Sequence, residues 1–531
     1  MMRQMNEQKE LTLGLLLILG VVSFGLVSGG GLLGSSGAEV YGHAWVQWWH
    51  GEALWAWPSG TSSALGVEQW AVIDPIPTAM GAIVGRLLGW SVGWNTVIIL
   101  AVACAFLGGA FLSKRAGGSA IVGGVVLSLA PIFMGSLASG LTEDAALGLI
   151  AFSFGLIFYP TGNRDSIAGG FLLGLIAWCG LYLAWMAAVS ALILSLFQIR
   201  ANWRRLLLSG AVALLLAVPA AYQHGERVSG QGHRAGVHHQ VEYEPLWQIN
   251  PWAQADLASF GTPSLEDNTE GALVRFHPAY VGWTTLLLAV LSGRRRWWLI
   301  FGGAIFFAIG ESPTFAGRPI GVENPIFWLM NKIPYASLLN HHARLMLVGQ
   351  LALAVTASIG ALRIYKSRSI KPWHMAAVIA LEIVVCSPAP LPLPVTNNQI
   401  EEIFYEAADG TGGVLTIPMA GPGVHPQRSL YEARAHGRQV MQNPNRPGPT
   451  EAMLADPFGL WLSSLGFPHH PDAPDDLSFE PMRSAGVEAI IVRENLVMEV
   501  ESAIGPPDIR SNGGALWRLS RLSSIEGESS R

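Results

Sequence analysis

The sequence predicts a polytopic α-helical membrane protein of about eleven transmembrane helices with a C-terminal extracytoplasmic α/β domain, and three observations predict it. Composition is the first. Of 531 residues, 51% are hydrophobic and 13% charged, and the mean hydropathy is +0.38, whereas a soluble chain carries about 25% charged residues. The second is the recurrence, as far as Ser387, of apolar stretches that read as span candidates, a full crossing needing about 17 to 25 residues. The third is the placement of cations. Lys114-Arg115, Arg200 to Arg205, Arg294 to Arg296 and Arg363 to Lys371 fall in alternate connections, which puts them all on the cytoplasmic side.

Taken in order, the first span is Leu11 to Leu33, entered from a short polar head with Arg3 and Lys9. Its apolar run is too long for a signal-peptide core, so it reads as a retained anchor with a cytoplasmic amino terminus. An outer loop, residues 35–77, follows, and then a weakly amphipathic segment, Thr78 to Trp90, whose Arg86 favours lying at the surface over spanning. Gly93 to Leu112, Ser119 to Ser139 and Ala145 to Tyr159 are the next spans, with the turn Gly140 to Asp144 outside. Ile167 to Gly180 and Leu181 to Phe197 form a tight pair, and Leu206 to Tyr222 opens the long loop His224 to His277. Tyr280 to Leu291, Trp298 to Gly310, Leu345 to Leu362 and Trp373 to Ser387 complete the membrane region, residues 1–393. Beyond Pro394, residues 394–531 have the composition of a soluble domain of roughly 140 residues, enough for a core of its own. Gly413 to Ile417 and Glu488 to Val492 read as buried strands, short and β-branched, and Gln399 to Ala407 and Ser478 to Ala485 as helices. An odd number of spans places this domain outside.

Several function classes are excluded. The net charge of −5 is small and dispersed, and no basic stripe with interleaved aromatics suggests a nucleic-acid partner. Cys104, Cys179 and Cys386 lie in or beside apolar segments and read as small packing residues. There is no Gly-rich phosphate loop, no G-x-S-x-G and no C-x-x-C, which sets aside nucleotide hydrolysis, the common serine-hydrolase route and thioredoxin-like chemistry. The histidines lack zinc-site spacing.

The unusual residues gather in the first outer loop, GAEVYGHAWVQWWHGEALWAWPSG, which closes on AVIDPIP. Glu39 and His43 are one helical turn apart and share a face if the segment is helical, with Trp45, Trp48 and Trp49 expected to anchor it at the membrane surface. Asp74 stands at the far end of the loop. A second acidic pair, Glu143-Asp144, lies on the same side, and Arg344, preceded by His341 and His342, enters a span from that side. A hydroxyl acceptor needs a base, which Glu39, Asp74, Glu143 or Asp144 supplies if burial raises its pKa. A phosphate leaving group needs a cation, and Arg offers a bidentate fork. If a metal takes part, Mg²⁺ or Mn²⁺ held by carboxylates and a donor phosphate is the expected one.

The order of these parts resembles the GT-C superfamily of integral-membrane glycosyltransferases, which use polyprenyl-phosphate sugar donors at the outer membrane face. The segments GAEVYGHAWVQWWHGEAL, VIDPIPTAMGAIVGRLLGWSVGWN, SLAPIFMGSLASGLTEDAALG and SLLNHHARLMLVGQLALAVTASIGAL carry the likeness. It implies Glu39 and Asp74 as catalytic residues, with Glu39 standing where the family usually has an Asp serving as base or metal contact. It further implies Glu143, Asp144 and Arg344 as substrate-binding residues, beside which His43, His341 and His342 are read as binding substrate too. The partners it implies are a polyprenyl-phosphate-linked sugar, membrane lipid, and a glycan, lipid or protein acceptor. The competing expectation is a non-catalytic GT-C-like scaffold or transporter. Transport is the weaker version, because apart from Glu382 the expected spans carry almost no mid-membrane charge.

Overall fold

A computed structural model describes residues 2–28, 30–36, 38–52, 74–230, 280–311, 313–315, 318–330, 342–387, 389–419, 427–440, 456–466, 470–474 and 478–521. A helix occurs at each expected span: α1 (Met2–Ser23), α4 (Trp90–Arg115), α5 (Ala120–Ser128) with α6 (Pro131–Ala138), α7 (Leu147–Phe158), α8 (Asn163–Ile176), α9 (Leu181–Leu196), α10 (Ile199–Gly230), α11 (Trp283–Val290), α12 (Arg295–Ala308), α14 (Met346–Arg368) and α15 (Pro372–Cys386). Two more helices, α2 (Val40–Glu52) and α3 (Pro75–Leu88), flank residues 53–73, and a short one, α13 (Pro325–Met330), follows a two-residue strand pair, β2 (Thr314–Phe315) with β3 (Arg318–Pro319).

Length separates these helices. Among the described residues, Glu7–Val27, Trp90–Arg115, Ile199–Tyr222 and Ala343–Arg368 are long and apolar enough to cross a membrane. The pair α5–α6 makes a fifth crossing if its two parts act as one. The expected unbroken span from Ser119 to Ser139 is therefore corrected: the chain bends by 42° between α5 and α6, because Pro131 at the start of α6 has no N–H to continue the helix from the preceding turn. The other expected spans are shorter. The 12 residues of α7 rise about 18 Å, against a hydrocarbon thickness of about 30 Å.

At the centre lies α14, buried at every residue from Met346 to Ala361. It is apolar around its whole circumference, as a helix enclosed by others must be, and packs on α5, α11 and α12. Small residues let α4 and α7 approach closely: a Cβ on Gly108 or on Gly148 would run into the backbone of the other helix. Glu382, the carboxylate singled out in the spans, has a structural role. It accepts hydrogen bonds from the Trp283 and Thr284 amides and from the Tyr280 hydroxyl, the last at 2.7 Å. It thus caps the first turn of α11 from a neighbouring helix.

The C-terminal residues build a four-stranded sheet in the order β5-β6-β8-β7. β5 (Gly413–Ile417) and β6 (Val487–Arg493) are parallel, and β7 (Ile509–Ser511) and β8 (Gly514–Arg518) form an antiparallel hairpin at the other side. Alternate side chains point to opposite faces. Leu415, Ile417, Ile490, Val492 and Trp517 pack on Phe458 and Trp461 on one face, and Val414, Ala489, Ile491 and Leu516 pack on Ile403 and Phe404 of α16 (Glu402–Glu406) on the other.

Among the described residues, this α/β unit meets the helical bundle at several places, Asn398 donating to Ser91 of α4 at 2.7 Å among them, and two contacts are extensive. β1 (Leu32–Leu33) pairs antiparallel with β4 (Val395–Thr396), Leu32 facing Thr396. α17 (Arg428–His436) lies on α2. The second contact corrects the expected role of Trp45. Rather than facing a membrane surface, its ring is 1% exposed and shares a buried cluster with Val46, Leu430, Ala433 and Val440, against which Trp48 and Trp49 are partly buried. The amphipathic helix buries its aromatic face against protein.

Candidate active site

Each side chain of the site is delivered by the end of an element. Glu39 immediately precedes α2, its amide donating to the Ser139 carbonyl (3.0 Å) and its carbonyl accepting from the His43 amide (3.1 Å). Asp74 precedes α3, whose opening Pro75 and Pro77 lack the N–H groups that a first turn leaves unpaired. Thr142, Glu143 and Asp144 form a 3-10 turn (Thr142–Ala146) ahead of α7. That turn reaches α2 because Gly140 takes φ +82°, and a Cβ there would meet the Val40 backbone at 2.7 Å. Arg344 sits in the turn His342–Leu345 that leads into α14.

These ends converge. The Thr142 hydroxyl donates to Asp74 and lies 3.2 Å from His43 Nδ1. Thr78, one turn into α3, donates to the other Asp74 oxygen at 2.9 Å. His43 Nε2 is 3.4 Å from Glu39 and 3.9 Å from Glu143. Arg344 donates to Glu143 at 2.8 Å, has its Nε 3.9 Å from Asp144, and lies with its guanidinium 5.5 Å from the centre of the Tyr182 ring. A continuous polar path thus runs from Asp74 through Thr142, His43 and Glu143 to Arg344. Asp74, Thr142 and Asp144 are buried, at 1%, 0% and 0% exposure, whereas the Glu39 side chain is 41% exposed and forms the accessible edge.

The geometry favours a protonated His43. Both ring nitrogens of His43 face acceptors, the Thr142 oxygen on one side and carboxylates on the other, which suits an imidazolium with two N–H donors. Burial opposes its charge, but the hydrogen bond to Glu39 and the field of Glu143 and Asp74 prevail and raise its pKa to about 9. Burial also raises Asp74 to about 6, against the opposing pull of His43 and the two threonine hydroxyls. Asp144 is raised by burial as well, with Arg344 opposing.

Of the expected residues, Glu39, His43, Asp74, Glu143, Asp144 and Arg344 are brought together. His341 and the side chain of His342 lie outside the described residues. Thr142, Thr78 and Tyr182 were not foreseen. Thr142 adjoins the acidic pair and Thr78 follows Asp74 by four residues in DPIPT, so both carried a spacing signal. Tyr182 carried none.

Among the described residues, the arrangement gathers no set of oxygens that suits Mg²⁺ or Mn²⁺. Such an ion needs several oxygens facing one point, yet Glu143 is already engaged by Arg344 and His43 stands between Glu39 and Glu143. Among the described residues, no three His, Cys, Asp or Glu side chains are grouped to hold a metal.

No protein-family model matches the chain, and no curated protein does. Solved structures do. The archaeal oligosaccharyltransferase AglB from Archaeoglobus fulgidus, solved with an inhibitory peptide and a dolichol-phosphate, aligns at TM-score 0.52 and 10% identity over 93% of this chain and 70% of its own. The arabinofuranosyltransferase AftD from Mycobacteria aligns at 0.51 and 14% over 92% of this chain, which spans 36% of AftD. ArnT from Cupriavidus metallidurans, solved bound to undecaprenyl phosphate, gives 0.48 and 12% over 96% and 97%. At such identities the likeness is one of architecture: this chain, an integral membrane protein, has the fold of the GT-C glycosyltransferases.

Proposed function

We propose that the protein is a membrane glycosyltransferase that moves a sugar from a polyprenyl-phosphate donor to a glycan, lipid or protein acceptor at the outer face of the membrane. The observation that carries this reading is the polar path from Asp74 to Arg344, assembled from four distant segments at one end of a helical bundle. The fold supports it, and AglB, which shares that fold, was solved with a dolichol-phosphate.

In the proposed reaction the acceptor oxygen attacks the anomeric carbon as the carbon–oxygen bond to the donor phosphate breaks, its electron pair leaving on the phosphate oxygen. The acceptor proton passes to Glu39, the accessible carboxylate. Arg344 stabilises the phosphate charge, and its Nε has no hydrogen-bond partner among the described residues. Asp74 holds Thr142, and through it orients His43 beside Glu39. His341 and His342 are proposed to contact substrate close to Arg344. No step runs through a metal.

The direct test is transfer from a polyprenyl-phosphate sugar in proteoliposomes across pH. Asp74 ionises only above about pH 6 and His43 keeps its proton up to about pH 9, so the rate is expected to rise through the first value and fall through the second. Asp74→Asn should remove the lower limb; a flat profile from pH 5 to 10 contradicts the assignment. The same shift enters stability. His43, raised from 6.5, stabilises the fold in full below the unfolded value and loses that contribution as pH climbs through about 9.

Sidedness belongs to the same proposal. The basic clusters at Lys114, Arg200, Arg294 and Lys366 support a cytoplasmic amino terminus, with residues 394–531 outside as a distinct α/β domain. Cysteines placed at the exposed positions Asp409 and Ser367 should label from outside only at the former, and the reverse pattern would invert the topology.

A further inference from the structure

We infer that α17 is a positioning element of the acidic site, fixing α2, and with it Glu39 and His43, from the side opposite Asp74 and Thr142. The two faces of α2 make the case. On one, His43 meets Thr142, and Gln47, a turn further along, lies against Gly81 of α3. On the other, Trp45 and Val46 are buried with Leu430 and Ala433 of α17, and the Tyr41 and Tyr431 rings are 5.2 Å apart. Between these contacts Gly42 lies directly against the Gln427 side chain, which a Cβ there would push aside. α2 is therefore clamped, and a shift away from α17 moves His43 relative to Thr142 and Glu143.

The clamp is stiff because α17 is tied to the sheet. Glu432, 1% exposed, accepts two hydrogen bonds from Arg493 of β6, at 2.6 and 2.5 Å, and one from Arg428 at 2.9 Å. Arg493 also reaches Glu401 at 3.3 Å. Removing one partner of such a buried pair leaves an uncompensated charge, so the arrangement resists local slippage. Gln427, Leu430 and Ala433 are thus positioning residues for a site that none of them touches. This deepens the transferase reading by adding the α/β unit to the machinery, but its test reads His43 itself and stands whatever reaction the site performs.

Diethyl pyrocarbonate, which modifies histidine in its unprotonated form, provides the probe, with the full-length protein in lipid nanodiscs and the His43 peptide quantified by mass spectrometry. Glu39, Asp74 and Glu143 face His43, and Arg344 in turn pairs with Glu143. Together with burial they should keep His43 unreactive at pH 7. Gly42→Leu is expected to raise its modification at pH 7 by at least about tenfold, the change in neutral fraction for one pKa unit. Adding Gln427→Ala, which makes room for the new side chain, should restore protection. If Gly42→Leu melts as the unaltered protein does and His43 stays protected, or if Gln427→Ala restores nothing, the inference fails. If Gly42→Leu does not fold, Leu430→Ala loosens the same contact from the α17 side: increased modification supports the clamp, and unchanged protection overturns it.

Discussion

Arg344→Ala is expected to abolish binding of a polyprenyl phosphate and to destabilise the fold by about 3–5 kcal/mol, the range for breaking a buried ion pair from one side. The side chain is 5% exposed and faces two carboxylates, Glu143 at 2.8 Å and Asp144 at 3.9 Å. Removing it leaves Asp144 buried without its cation and Glu143 with only His43 at 3.9 Å, and the loss should appear as a lowered melting temperature in detergent. Arg344→Lys separates stability from recognition. Lysine restores the charge but not the planar fork, so the melt should recover further than the binding of undecaprenyl phosphate in vesicles. A variant lacking Arg344 that melts and binds like the unaltered protein would remove this residue from the site.

Glu39→Gln is expected to cut transfer by about 10²-fold or more, the usual cost of losing a general base. Folding should be unaffected, because the side chain is 41% exposed and its backbone bonds to Ser139 and His43 persist. The same variant removes a negative partner of His43, so the high-pH limb of the rate profile should move towards neutrality.

Much of this was legible in the sequence for definite physical reasons. Hydropathy marks a helix wherever the environment is apolar, and a helix stands at each expected span. It does not say whether that environment is lipid or neighbouring helices, which is why α7, α11 and α12 read as spans although each is short. Strand β5 matched its expected limits from Gly413 to Ile417, being apolar on both faces. The β7–β8 hairpin went unread, because the three residues Ile509, Arg510 and Ser511 are too few for an alternating pattern to stand out.

The site shows the same division. Glu39 with His43, and Asp74 with Thr78, are local spacings that a helix turns into contacts. Trp45 was misassigned because aromatic content cannot name its partner: Leu430 and Ala433 lie nearly four hundred residues away, and the same amphipathic face suits a bilayer surface or another helix. Thr142 links Asp74 to His43 across three segments, a connection that only the packed bundle creates.

The most direct test of the central claim is transfer by the Glu39→Gln, Asp74→Asn double variant, with a polyprenyl-phosphate sugar donor and an acceptor on which the unaltered protein has been shown to act. The account predicts a correctly inserted protein whose melt is lowered, because Asp74 is buried and accepts from Thr78 and Thr142, and whose transfer is reduced to background. Full activity in that variant would contradict it, and would leave the chain as a GT-C-like body whose acidic cluster serves scaffolding and not chemistry.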